Sequence, residues 1–126
     1  MQTKVLYLSD LRFNLDIWRS ELKFHSNEMD LFEEKLEEIA RREFGHQALK
    51  ELEMFQNKIM IERDAISKLL HRIRNKKTKL ERPNAMDNVD AKFQTAQHTL
   101  REDMQTYIKL HYELKEAMMD YFLEWL

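Results

Sequence analysis

In 126 residues this chain has one glycine, Gly45, and one proline, Pro83. β architectures need frequent turns, and turns draw on Gly and Pro. With two such breakers the backbone is expected to reverse sharply about twice. The stretches on either side are rich in Leu, Glu, Lys and Met, which are good helix formers. The expected fold is all-α: three long antiparallel helices in an up-down-up bundle, with turns near 43–47 and 82–87, open to completion by a second copy. Residues 1–8 read as a short N-terminal arm and 9–126 as one domain.

The spacing of apolar residues supports this reading. In helix 1, with Ser9 or Asp10 as the expected N-cap, Leu11, Leu15, Trp18, Leu22, Met29, Phe32, Leu36 and Ile39 fall on one stripe. Gly45 suits the residue after the helix, in a left-handed conformation, behind Arg41 and Arg42. Helix 2 carries Ala48, Leu52, Phe55, Ile59, Ile66, Leu69 and Ile73, and is expected to fade through Lys76–Arg82 before Pro83. Helix 3, capped by Asp87 or Asn88, reads Val89, Phe93, Ala96, Leu100, Met104, Tyr107, His111, Leu114, Met118, Tyr121 and Trp125.

Two seams are interrupted without losing their spacing. His25 stands between Leu22 and Met29, and Glu62 between Ile59 and Ile66. An antiparallel hairpin turning at 43–45 brings His25 level with Glu62, and the second turn brings Tyr107 to the same level. Acid–base catalysis by His25 with Glu62 needs a cleft and a substrate, and the sequence shows neither, which leaves two readings of this His25–Glu62–Tyr107 layer. As structure, a buried polar pair fixes the register of helices that otherwise slide by a heptad. As chemistry, Glu21 and Glu28, one turn before and after His25, add carboxylates to His25 and Glu62 and make a metal-ion site. No other cofactor and no small-molecule substrate is indicated.

Other motifs carry less. Glu43 and His46 have the Glu-x-x-His spacing of di-iron bundles, but the pattern occurs once and overlaps Gly45. His98 and Glu102 lie off the seam and read as a solvated pair. The stretch from His71 to Arg82 has six Lys or Arg against one acid: Arg72, Arg74, Lys76, Lys77, Lys79 and Arg82. It reads as a solvated helix end favoured by the dipole, or as a patch for an acidic partner. Without interleaved aromatics, and with a net charge of −2, nucleic acid is disfavoured. The C-terminal run is apolar around most of the helix, so Met119, Phe122, Leu123 and Leu126 are candidates for a homodimer interface.

Cysteine is absent, which excludes thiol catalysis, disulfides and Cys-based zinc sites and suits a reducing cytoplasm. No apolar run is long enough for a signal peptide core or a membrane span. There is no Gly-rich phosphate loop and no Ser/His/Asp signature, so nothing marks an enzyme. The segments Trp18–His25 and Phe32–Glu38, together with Phe55–Lys58 and Leu69–His71, resemble an uncharacterised group of small bacterial helical-bundle proteins, distantly hemerythrin-like. The resemblance implies a bundle and no activity. Where such proteins carry histidines early in helix 1, this chain reads Leu11-Arg12-Phe13-Asn14-Leu15. The expectation is a non-enzymatic structural or protein-interaction bundle, with metal-ion binding and binding of acidic partners as the alternatives.

Overall fold

The computed structural model describes residues 8–42, 45–82 and 89–126. They form three long helices, α1 (Leu8–Ala40), α2 (His46–Leu80) and α3 (Ala91–Trp125), with no strand among the described residues. Each has 33 or 35 residues, about 50 Å at ~1.5 Å per residue. Polar pairs between helices set their directions. Arg12 donates to the Leu80 carbonyl, Lys77 pairs with Asp16, and Arg63 with Asp30 and Glu33, so contacts descend α2 as they ascend α1. Glu21 meets Tyr112, and Glu28 meets Lys115, so α1 and α3 ascend together. The chain runs up, down and up.

Helix ends differ from expectation in three places. α1 already begins at Leu8, which leaves Ser9 and Asp10 inside its first turn rather than capping it. Gly45 is not the left-handed residue that ends α1. It has φ −66° and ψ 169° and is the N-cap of α2, a role that needs extended backbone and no special freedom. α3 is capped by Asp90, whose carboxylate accepts the Phe93 N–H at 2.8 Å. The expected caps Asp87 and Asn88, the motif residue Glu43 and the arm residues 1–7 lie outside the described residues.

The seams are buried nearly as expected. Every apolar position assigned to α2 is buried, and Leu80 extends the row by two turns. Lys76 extends it too, which corrects its assignment to a solvated basic stretch. Its alkyl stem enters the core while Nζ donates to the Phe93 carbonyl and lies 4.2 Å from the centre of the Phe93 ring. In α3 the step between Phe93 and Leu100 is taken by half-buried Gln97, and Ala96 is exposed. Trp18, Phe32, Leu114 and Trp125 pack at the margins of the core.

The core has two apolar parts. One gathers Leu15, Leu22, Ile66, Ile73, Phe93, Leu100 and Met104. The other gathers Met29, Leu36, Ile39, Leu52, Phe55, Ile59, Met118 and Tyr121. At roughly 1.5–3 kcal/mol for each large apolar side chain withdrawn from water, both parts contribute substantially. Between them lies a polar layer.

Candidate functional site

Each helix contributes to that layer from its own seam: His25 from α1, Glu62 from α2, Tyr107 and His111 from α3. Both histidines are fully buried and Glu62 is 7 % exposed. Helical spacing puts them there, because each replaces an apolar residue at a position that cannot turn outward without unwinding its helix.

Two hydrogen bonds tie α1 and α2 to α3. His111 Nδ1 donates to Glu62 Oε2 at 2.9 Å, and the Tyr107 hydroxyl lies within the influence of the Glu62 charge. That hydroxyl is 3.0 Å from His25 Nδ1. The two imidazoles stack face to face, centroids 3.6 Å apart and planes 6° from parallel. Tyr112 closes the stack edge-on, with centroids 5.7 Å from His25 and 5.1 Å from His111. On the α1 side, His25 Nε2 is 3.0 Å from Glu21 Oε1, and His111 Nε2 is 3.6 Å from Glu28 Oε1. Lys115 holds the other oxygen of Glu28 at 2.6 Å.

Burial sets the electrostatics. It holds the His25 imidazole below its ordinary range, and the neighbouring His111 adds to this against the opposing pull of Glu21 and Glu62. Burial also raises the Tyr107 phenol, reinforced by the negative charge of Glu62, so its hydroxyl stays protonated and can donate.

His25, Glu62 and Tyr107 lie in one layer, with a different pairing from the one their spacing suggested. The histidine bonded to Glu62 is His111, and His25 bonds instead to Tyr107. Of the four residues expected around a metal, Glu21 meets His25, Glu28 faces His111, and Glu62 turns to the opposite edge of the stack. As the side chains stand, no group of three or more His, Asp or Glu among the described residues is arranged to hold a metal ion. His111 was visible in the sequence as a polar seam position. Placing it in the layer needed one more turn of α3 than the loop count supplied.

Away from the layer, the basic stretch is largely spent on internal contacts. Arg72 pairs with Asp103 at 2.7 Å, Lys77 with Asp16 at 2.5 Å, and Lys76 is buried. Arg74 and Arg82 are exposed, as is Lys79, which also has an interaction partner. His98 and Glu102 form an exposed pair at 3.0 Å. Of the C-terminal candidates, Phe122 is half-buried, its ring 5.7 Å from that of Phe32, whereas Met119, Leu123 and Leu126 are exposed. No described helix is long and apolar enough to cross a membrane.

Two apolar surfaces flank the layer. Between α2 and α3 an open cavity of about 330 Å³ is walled by Ile61, Ala65, Leu110, Leu114 and Ala117, with Glu62, Tyr107 and His111 also lining it. On the outer face of α1, Phe13, Ile17, Phe24 and Leu31 are all exposed at near-heptad spacing. The sequence reading passed over this second stripe because the core seam beside it was stronger. Comparison with known proteins found no matching family model, no matching curated protein and no matching solved structure.

Proposed function

We propose that the protein is a non-enzymatic interaction bundle that works as a homodimer, its contact face formed by the outer side of α1 and the adjoining side of α3. The supporting observation is the row of large apolar side chains left on that side: Ile17, Phe24 and Leu31 from α1, and Met119 and Leu123 from α3. Glu21–Tyr112 and Glu28–Lys115 set the register, which brings Met119 level with Leu31. Half-exposed aromatic and aliphatic groups in such a row amount to roughly 400 Å² of apolar surface, within the range of the largest patch a monomer leaves bare. Two such faces with their flanks approach the ~1,200 Å² at the lower end of a stable specific interface. A two-fold pairing also closes on itself and leaves no open end. A chain without cysteine suits work in a reducing cytoplasm.

The test is sedimentation at micromolar concentration of the full chain and of Phe24→Glu with Leu31→Lys. The expected result is a dimer that the paired substitution converts to a folded monomer. A wild-type monomer overturns the proposal, and so does a dimer that survives both changes. If only Ile61→Glu with Leu110→Lys dissociates the dimer, the contact belongs to the groove between α2 and α3 and the α1 face is wrong.

A further inference from the structure

The open cavity between α2 and α3 shares no residue with the α1/α3 contact face. Its lining on α3 runs from Tyr107 to Ala117, about 15 Å at ~1.5 Å per residue. The His111–Glu62 hydrogen bond sets how the two walls face each other. Because α2 and α3 run in opposite directions, Ala65 stands towards the Tyr107 end and Lys58 towards the Ala117 end. The cavity is therefore an elongated slot, and the small side chains of Ala65 and Ala117, at opposite ends, help to keep it open. Its volume of about 330 Å³ falls at the lower end of the range for small-molecule sites.

The walls are mainly apolar, but one buried acid faces the slot. Glu62 is 7 % exposed and belongs to the lining, together with His111 and Tyr107. Its Oε2 accepts from His111 Nδ1, which fixes the orientation of the carboxylate. Among the described residues no Lys or Arg pairs with Glu62. Lys58, the cationic side chain in the lining, is exposed and makes no ion pair there, and Glu113 at the same rim offsets its charge. A carboxylate withdrawn from water is costly without a countercharge. The face of the Tyr107 ring, in the same lining, attracts cations as well.

We propose that this slot binds a small organic cation, an amine whose ammonium sits against Glu62 and Tyr107 and whose alkyl or arylalkyl body lies along Ile61, Leu110 and Leu114. The charge of the acid selects the head group, and the apolar walls take the body. A carboxylic acid of the same length gains the walls and is repelled by Glu62. An alcohol gains the walls without the charge. His111 acts through Glu62 and is a positioning residue.

The experiment is calorimetric titration of the full chain with octylamine, with octanol and octanoate as controls of equal length. The expected result is a single octylamine per chain, bound ~10-fold or more tightly than octanol, with octanoate weakest. Glu62→Gln keeps an acceptor for His111 and removes the preference for the amine while octanol binding stays, a change that a merely structural role does not produce. Ala117→Trp, at an exposed position, fills the slot and abolishes binding of amine and alcohol alike. Helical spectra show that both variants are folded. No octylamine uptake by folded wild type overturns the proposal, as does octanol or octanoate binding as tightly as the amine, or uptake undiminished in Ala117→Trp. A dimer that octylamine splits in sedimentation assigns the slot to a second copy and overturns it too. Phe24→Glu with Leu31→Lys leaves amine binding intact, so this proposal and the α1/α3 contact fail separately.

Discussion

Glu62 holds α2 to α3 in the layer by accepting a hydrogen bond from His111, whose ring stacks on that of His25 from α1. Removing it strands His111 Nδ1 in a buried site. Glu62→Ala is expected to destabilise by about 1–3 kcal/mol, measured by urea denaturation. A variant that unfolds with the wild type would show that the layer is wet. Lys76 makes a second prediction. Burial lowers its pKa to about 8 from 10.5, with help from Lys79 and Arg72. Between those values the unfolded chain binds more protons than the folded one, so this group makes stability rise with pH across that window and weighs against folding below it. Lys76→Met should therefore stabilise the protein at neutral pH, and its advantage should shrink from pH 8 to 10.5 in paired thermal melts. An advantage that does not change with pH would mean that Nζ remains solvated.

How far the sequence can be read is clearest element by element. Row spacing found the seams because a helix side chain cannot leave its face, and it found His25 and Glu62 for the same reason. It did not find their partners, because pairing between helices depends on turn length and on the small drift of each helix. An error of one turn on α3 exchanged His111 for Tyr107 opposite Glu62. Lys76 escaped notice because charge was read as exposure, although a four-carbon stem can be buried behind a charged tip. Between Phe93 and Leu100, steps of three and four both satisfied the period, and apolar Ala96 outweighed Gln97. Both amide atoms of Gln97 are buried without a partner. Gln97→Leu is therefore expected to stabilise α3 packing by about 1 kcal/mol, seen as a higher denaturation midpoint. At the start of the same helix, Asp90→Ala removes the cap on the Phe93 N–H and should cost about 1 kcal/mol. An unchanged midpoint would show that water replaces the carboxylate.

For the whole molecule, the layer divides one long core into two apolar parts and limits how the three rods can slide. An all-apolar seam is satisfied at several heptad registers, whereas a chain of hydrogen bonds through three helices is satisfied at one. The same layer sits between two exposed apolar surfaces, the α2/α3 groove and the α1/α3 face. The account rests on the buried hydrogen bonds that tie His25 to Tyr107 and His111 to Glu62. Nitrogen-15 NMR of the imidazoles reads those bonds without perturbing the fold. Since a carboxylate oxygen can only accept, His111 should carry a proton on Nδ1, held in a hydrogen bond that exposed His98 lacks there. A His111 ring whose Nδ1 bears no proton would contradict it.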